Sequence, residues 1–315
     1  MISFFSSHYR YFQEFEVNGV EINGVLIDDT FAEAFPCWCS RAVITAVTKT
    51  WAHKIATEAT GFATSCIGCA AEAGIDYYVR TNRTPDWRPG YAIMICNPSK
   101  KKLKEQMVER LAECVLTAPT AAVFNGLNAE EKIPVKLHFF GDGYEHQVTV
   151  GDRNCWAIPI MSGEFICEEE YGIVQGVAGG NFLVMSDNPM SALMGAEAAV
   201  ESIDDLEDVI TSFPGGIVAS GSKVGSNKYK FMSASTNDVY APTIKDRVPI
   251  TKIPKGINSV FEIVLDGLNI DAIKLAMREG IEAACGVPGV KIISAGNYGG
   301  KLGPYQIRLH DLFKV

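Results

Sequence analysis

The most restrictive feature of this chain is a repeated spacing. An apolar run centred on Ile93 is followed ten residues later by Leu103 on an amphipathic helix, and Ile263 is followed ten residues later by Ile273 on another. The two helices end on related words, Cys114 to Pro119 and Cys285 to Pro288. Ahead of each pair stands one more strand and helix. In the first half the pattern predicts strands at Ala42–Val47, Ala63–Gly68, Tyr91–Cys96 and Val135–Phe140, with helices at Thr50–Thr60 and Lys101–Leu116. In the second it predicts strands at Asn181–Met185, Gly216–Ser220, Val260–Asp266 and Val290–Ser294, with helices at Pro189–Ile203 and Asp271–Cys285. Both halves read βαββαβ. The expected fold class is α+β, with two ferredoxin-like (split βαβ) lobes from an internal duplication, at 21–165 and 166–315. Inserted hairpins are expected between Gly141 and Tyr171. Residues 1–20 precede that pattern, and the near-duplicate words VNGV and INGV (Val17–Val25) predict a hairpin with an Asn-Gly turn.

Composition excludes several classes of function. With 315 residues and 47% apolar content, each half can build a core. A formal charge of −9 argues against nucleic acid and against an anionic membrane surface. The basic run Lys100–Lys104 opens a helix and reads as a solvated face. No apolar run is long enough for a transmembrane helix, and the start does not read as a signal peptide. Nine cysteines, an odd number in apolar surroundings, read as buried thiols of a reducing cytoplasm. The pairs Cys37/Cys39 and Cys66/Cys69 lack zinc-knuckle context and are expected to be core thiols, so no metal is expected. The five histidines are scattered, which gives covalent catalysis little support.

The segment Phe213–Thr243 keeps neither helical nor strand periodicity and is rich in turn formers. Tyr229, Phe231, Met232, Val239 and Tyr240 are expected to anchor it as an ordered loop lining a site. Three glycine-rich turns, Gly176–Asn181, Pro214–Gly216 and Gly296–Lys301, lie in the same half. They match no nucleotide fingerprint but suit a shared cleft. Glu262 is the one ionisable residue in VFEIVL. Either its strand face is solvated and Glu262 is ordinary, or the face is covered and a desolvated carboxyl can serve as a general acid.

Several long, collinear words carry a family resemblance: DDTFAEAF (Asp28–Phe35), EATGF (Glu58–Phe62), AEAGID (Ala71–Asp76), FFGDGY (Phe139–Tyr144), GVAGGNF (Gly176–Phe182), ASTND (Ala234–Asp238) and AGNYGGKLG (Ala295–Gly303). They resemble formylmethanofuran–tetrahydromethanopterin N-formyltransferases from about Glu21 to Phe313, leaving residues 1–20 as an extension outside the family fold. The resemblance implies an acyltransferase that moves a formyl group from methanofuran to N5 of tetrahydromethanopterin, in methanogenesis or C1 oxidation. It implies no prosthetic group, a cytoplasmic homotetramer built as a dimer of dimers, and a catalytic role for Glu262. Gly179, Gly180, Asn181, Lys223, Ser235, Thr236, Asn237, Asp238 and Lys301 are the candidate substrate-binding residues, with Lys228 a further cation for the anionic carriers. The rival readings are a subunit of a formyltransferase/hydrolase complex that releases formate, and a non-catalytic pterin-binding protein.

Overall fold

The computed structural model describes residues 20–314, so the expected extension lies outside it apart from Val20. In chain order the first elements are β1 (Val20–Ile22), β2 (Val25–Ile27), β3 (Phe31–Thr45), α1 (Lys49–Thr60), β4 (Glu72–Val79), β5 (Gly90–Asn97), α2 (Lys100–Arg110) and β6 (Ala122–Asn125). They are followed by β7 (Lys132–Pro134), β8 (His146–Val150), β9 (Arg153–Ile160) and β10 (Gly163–Cys167). The remainder is β11 (Glu170–Ser186), α3 (Pro189–Ile203), β12 (Val209–Ile210), β13 (Ile217–Val218), β14 (Lys223–Val224), β15 (Ala234–Ser235), β16 (Ser259–Gly267), α4 (Ile270–Cys285), β17 (Val290–Ser294) and β18 (Tyr305–Arg308).

The chain is mixed α and β and mostly sheet. In the first half the hydrogen-bonded order is β6-β3-β5-β4, and in the second β17-β11-β16-β12, with every neighbour antiparallel. Each helix begins where a short polar side chain takes an amide left over by the first turn: Thr48, Ser99, Asn188 and Asn269 each accept from the N–H three residues on. Ile55, Leu103, Met107 and Leu111 bury against Ile93, Ile95 and Val123 in one core. Ala196, Ala199, Ile203, Ile273, Met277 and Ile281 bury against Phe182, Val184, Ile263 and Leu265 in the other.

Two long strands tie these cores together. β3 and β11 pair with each other from Phe35/Ala178 to Ser40/Ile173, which merges the halves into one sheet of sixteen strands. As a result Ala32 and Ala34 lie in the second core, while Tyr171 and Ile173 lie in the first. The N-terminal hairpin turns at Asn23-Gly24, both at positive φ (52° and 78°), as a tight Asn-Gly turn requires. β2 then adds to β17 in parallel.

Two expected strands are absent. Residues 63–68 form a turn, knitted by Gly68 and Cys69 amides donating to Ser65 O, so Cys66 and Cys69 are half-buried turn residues and not strand thiols. The strand lies later, at Glu72–Val79, where a bulge between Ile75 and Tyr77 breaks the alternation. Residues Leu137–Gly141 coil into a 3-10 turn ended by Asp142 in the left-handed region, and His138 stacks on Trp156 at 4.4 Å. The closing strand of the first half is instead the four-residue run Ala122–Asn125. The hairpins expected between Gly141 and Tyr171 are β8, β9 and β10.

Candidate active site

β16 turns Ile263 and Leu265 toward the helices and Glu262 toward the opposite face of the sheet. That face is not left to water. Leu183, Met185, Ile253 and Ile257 form a small apolar cluster there with Tyr240, so the segment after β15 folds back over the sheet. Glu262 stands in a cross-strand row, flanked by Leu183 on one side and Val218 on the other. It faces a cavity of about 160 Å³ lined also by Ser220, Gly221, Asn237, Tyr240 and Pro242. Burial pushes its carboxyl up from 4.5 to about 7. An acid with that value holds a proton near neutrality and can still give it up. The strand face is therefore partly covered, with Glu262 half-buried.

The glycine-rich turn after β17 passes beside Glu262, outside the residues that line this cavity. A Cβ placed on Gly296 would lie 3.7 Å from Glu262 Oε1. Asn181 on β11 fastens this turn: its Oδ1 accepts from the Gly296 N–H at 2.6 Å, and its Nδ2 donates to Gly296 O at 3.1 Å and Gly179 O at 3.2 Å. Glu33 on β3 fastens the rest. Its carboxylate accepts the N–H groups of Tyr298, Gly300, Leu302 and Gly303 at 2.6–2.9 Å. Burial by itself would raise the Glu33 pKa, but those four amides together hold it below its usual value. The Tyr240 hydroxyl donates to Ala295 O at 3.2 Å, joining the loop wall to the turn wall.

The candidate residues separate into three groups. Asn237 lines the Glu262 cavity directly. Gly179 and the Asn181 side chain have their donors engaged within the protein. The Gly179 N–H goes to Asp266 Oδ1 at 3.2 Å, Gly180 is glycine because a Cβ would come within 2.5 Å of Ile273, and the Asn181 amide is used up on the turn. Lys223 and Asp238 form an ion pair at 2.5 Å, and the Lys223 ammonium beside Asp238 holds that carboxyl below the usual range. The Ser235 hydroxyl donates to Gly225 O at 2.7 Å and closes the β14–β15 hairpin. Thr236 and Lys301 are exposed, and Lys228 lies over the Tyr229 ring. The hairpin tip departs from expectation: Tyr229, Phe231 and Met232 face solvent, and only Val239 and Tyr240 are partly covered.

Among the described residues, the sulfurs close enough to share a soft metal ion are those of Cys37, Cys39 and Cys96, all within 4.8 Å of one another. They pack with Met94 and Ile210 in a buried cluster apart from the Glu262 cavity, as core thiols. Among the described residues no helix is long and apolar enough to cross a membrane.

Two family models divide the chain. Residues 20–160 match "Formylmethanofuran-tetrahydromethanopterin formyltransferase", and residues 163–312 match "FTR, proximal lobe". The formyltransferase of Methanothermobacter thermautotrophicus is 59% identical, over 93% of this chain and all of that protein. The chain belongs to the formylmethanofuran–tetrahydromethanopterin formyltransferase family. It is therefore a formyl-transferring enzyme. The Archaeoglobus fulgidus formyltransferase is 58% identical, again over 93% of this chain and all of the relative. The solved formyltransferase of Methanosarcina barkeri superposes with a TM-score of 0.91 at 56% identity, covering 93% of this chain and 100% of that one. A chain of the formyltransferase/hydrolase complex of Methylorubrum extorquens, solved with methylofuran, superposes at 0.89 with 40% identity, covering 94% and 99%. Of the residues that build the site, Glu33 carried no signal in sequence beyond its place in the word DDTFAEAF.

Proposed function

We propose that this chain transfers a formyl group between formylmethanofuran and N5 of tetrahydromethanopterin, with Glu262 as the general acid. The observation that carries the assignment is a half-buried carboxyl, pushed up to about 7 by burial, facing a small, partly covered cavity. N5 attacks the formyl carbon, and the carbonyl oxygen gains negative charge in a tetrahedral intermediate. The amine of methanofuran is a poor leaving group until protonated. Glu262 delivers that proton as the C–N bond breaks, the carbonyl reforms, and the N5 proton restores the carboxyl. Asn237, whose side chain borders the cavity, is the candidate donor to the developing oxyanion. Lys223 and Lys228 on the loop and Lys301 on the 296–303 turn suit the carriers' anionic groups.

Glu262→Gln keeps the shape and removes the acid. Turnover should fall at least about a hundredfold while both carriers still bind. Near-normal kcat in a steady-state assay would remove Glu262 from the mechanism.

The duplicated strand orders support reading the chain as two ferredoxin-like lobes, 21–165 and 166–315, that exchange the ends of β3 and β11. Methanofuran and tetrahydromethanopterin serve as co-substrates, with no prosthetic group, in methanogenesis or C1 oxidation. The enzyme works in the cytoplasm as a homotetramer, a dimer of dimers, and exposed Phe139, Phe140 and Tyr144 suit a covered surface. The likeness to a chain of the Methylorubrum complex favours a second reading, a subunit that passes its formyl group on to water. An assay following formate and the formylated pterin separates the two.

A further inference from the structure

We propose that Glu33 is a positioning residue for formyl transfer: from β3 it fixes the 296–303 turn as a preformed wall beside Glu262. The inference rests on the Glu262 cavity being where transfer occurs.

Glu33 is 2% exposed. Among the described residues no cation pairs with it. A buried carboxylate without a cation is costly unless its lone pairs are filled. Here Oε2 accepts from Tyr298 and Gly300 at 2.7 and 2.9 Å, and Oε1 from Leu302 and Gly303, both at 2.6 Å. All four acceptor positions of the group are occupied. The amides converge because Gly299 and Gly300 both adopt positive φ (73° and 71°), the backbone shape that makes an anion-binding nest. In this protein the anion is a side chain of the chain itself. A side chain at Gly300 would be strained by that positive φ and would push aside the end of the exposed Gln306 side chain, 2.2 Å from a built Cβ.

The same turn begins at Gly296, which Asn181 clamps next to Glu262. Between the clamp and the carboxylate, the turn can present Tyr298 and Lys301 in only one arrangement. An apolar plug under the turn would fill the same volume. It would leave the amides without partners and the turn free to choose among conformations. A buried charge aimed at four amides fixes one conformation before substrate arrives, which is what orientation of two large carriers demands.

Glu33→Gln offers one acceptor oxygen in place of two and turns an NH2 toward donors. Its kcat/KM with formylmethanofuran and tetrahydromethanopterin should fall at least about tenfold, mostly in kcat. Amide exchange followed by mass spectrometry should accelerate over 296–303 and stay unchanged elsewhere. Gly300→Ala displaces the turn from its other side and should repeat that pattern, so it decides the matter if Glu33→Gln does not fold. Asp76→Asn weakens the distant Arg41 ion pair (2.5 Å to Asp76); assayed below its melting temperature, it should lose stability with kcat and KM unmoved. Accelerated exchange with kcat and KM within about twofold of wild type would overturn the proposal, as would unchanged exchange. If instead Glu262→Gln retains turnover, the cavity reading has failed, and the Glu33 variant should then show the exchange change alone.

Discussion

The two walls beside Glu262, the turn next to it and the loop that lines its cavity, are held in different ways. The turn wall, 296–303, has its amides taken by two buried side chains, Glu33 and Asn181, that come from strands far away in sequence. The loop wall, from Ile217 to Tyr240, rests on two residues of strand pairing with β16, a two-by-two hairpin and one ion pair. Its apolar tip points to solvent. One wall is over-determined and the other is lightly held. In a transferase with two large substrates that contrast has a use: a fixed surface orients the reacting atoms, and an adaptable one admits and releases the carriers.

The largest expected effect lies on the fixed side. Asn181→Leu keeps the volume but strands Gly179 O and the Gly296 N–H, while Gly296 O keeps only the Glu33 N–H at 3.4 Å. Each buried orphan costs roughly 1–3 kcal/mol, so denaturant unfolding should show a loss of about 3 kcal/mol. An unchanged midpoint would mean that water replaces the amide and that the turn is no more constrained than the loop.

Glu262 lies between the walls, and its titration reports on both. Its carboxyl is raised from 4.5 to about 7 because burial disfavours the anion. Between those values the folded protein keeps a proton that the unfolded chain has lost. Stability from this group therefore falls as pH rises from 4.5 to about 7, and is level above that. The size is about 2 kcal/mol once solvent reaching the carboxyl is discounted. Tyr240→Ala opens the loop wall to water and should flatten the slope, and Glu262→Gln should abolish it. A slope that survives Glu262→Gln belongs to another buried acid, such as Asp266, whose carboxyl burial also pushes well up.

Sequence reasoning reached both the loop and the Gly296–Lys301 turn, but missed the carboxylate that fastens the turn, for a physical reason. The helices were legible because their apolar spacing and their capping residues are local. Glu262 was legible because a lone carboxyl in an apolar strand contradicts its surroundings. Whether water reached it was not legible, since the cover is supplied by Tyr240, Ile253 and Ile257 on a segment without periodicity. Glu33 sits in FAEAF, where alternation puts it on one face with Phe31 and Phe35, and nothing local says what its carboxylate binds. The amides it serves are 265 to 270 residues further on, and no local pattern connects them. The strand expected at Ala63–Gly68 failed for a smaller reason. A turn of Thr64, Ser65 and Gly68 interrupts an apolar word, and the true strand hides its alternation behind a bulge. Tyr229, Phe231 and Met232 were read as anchors because aromatic residues usually bury, but in a two-residue-strand hairpin there is nothing beneath the tip to bury against.

The smallest expected effect tests the lightly held side. Phe231 is 84% exposed at the hairpin tip, and its only aromatic neighbour among the described residues is Tyr229 at 6.0 Å. Phe231→Ser removes no buried area, so thermal unfolding should move by less than about 0.5 kcal/mol. If the tip closes over a bound carrier, the same variant should still raise KM several-fold while leaving kcat alone, because binding is lost without a change at the reacting atoms. A fall in kcat with KM unchanged would show instead that the tip helps set the geometry at Glu262. In that case the loop wall would share the orienting role assigned here to the turn.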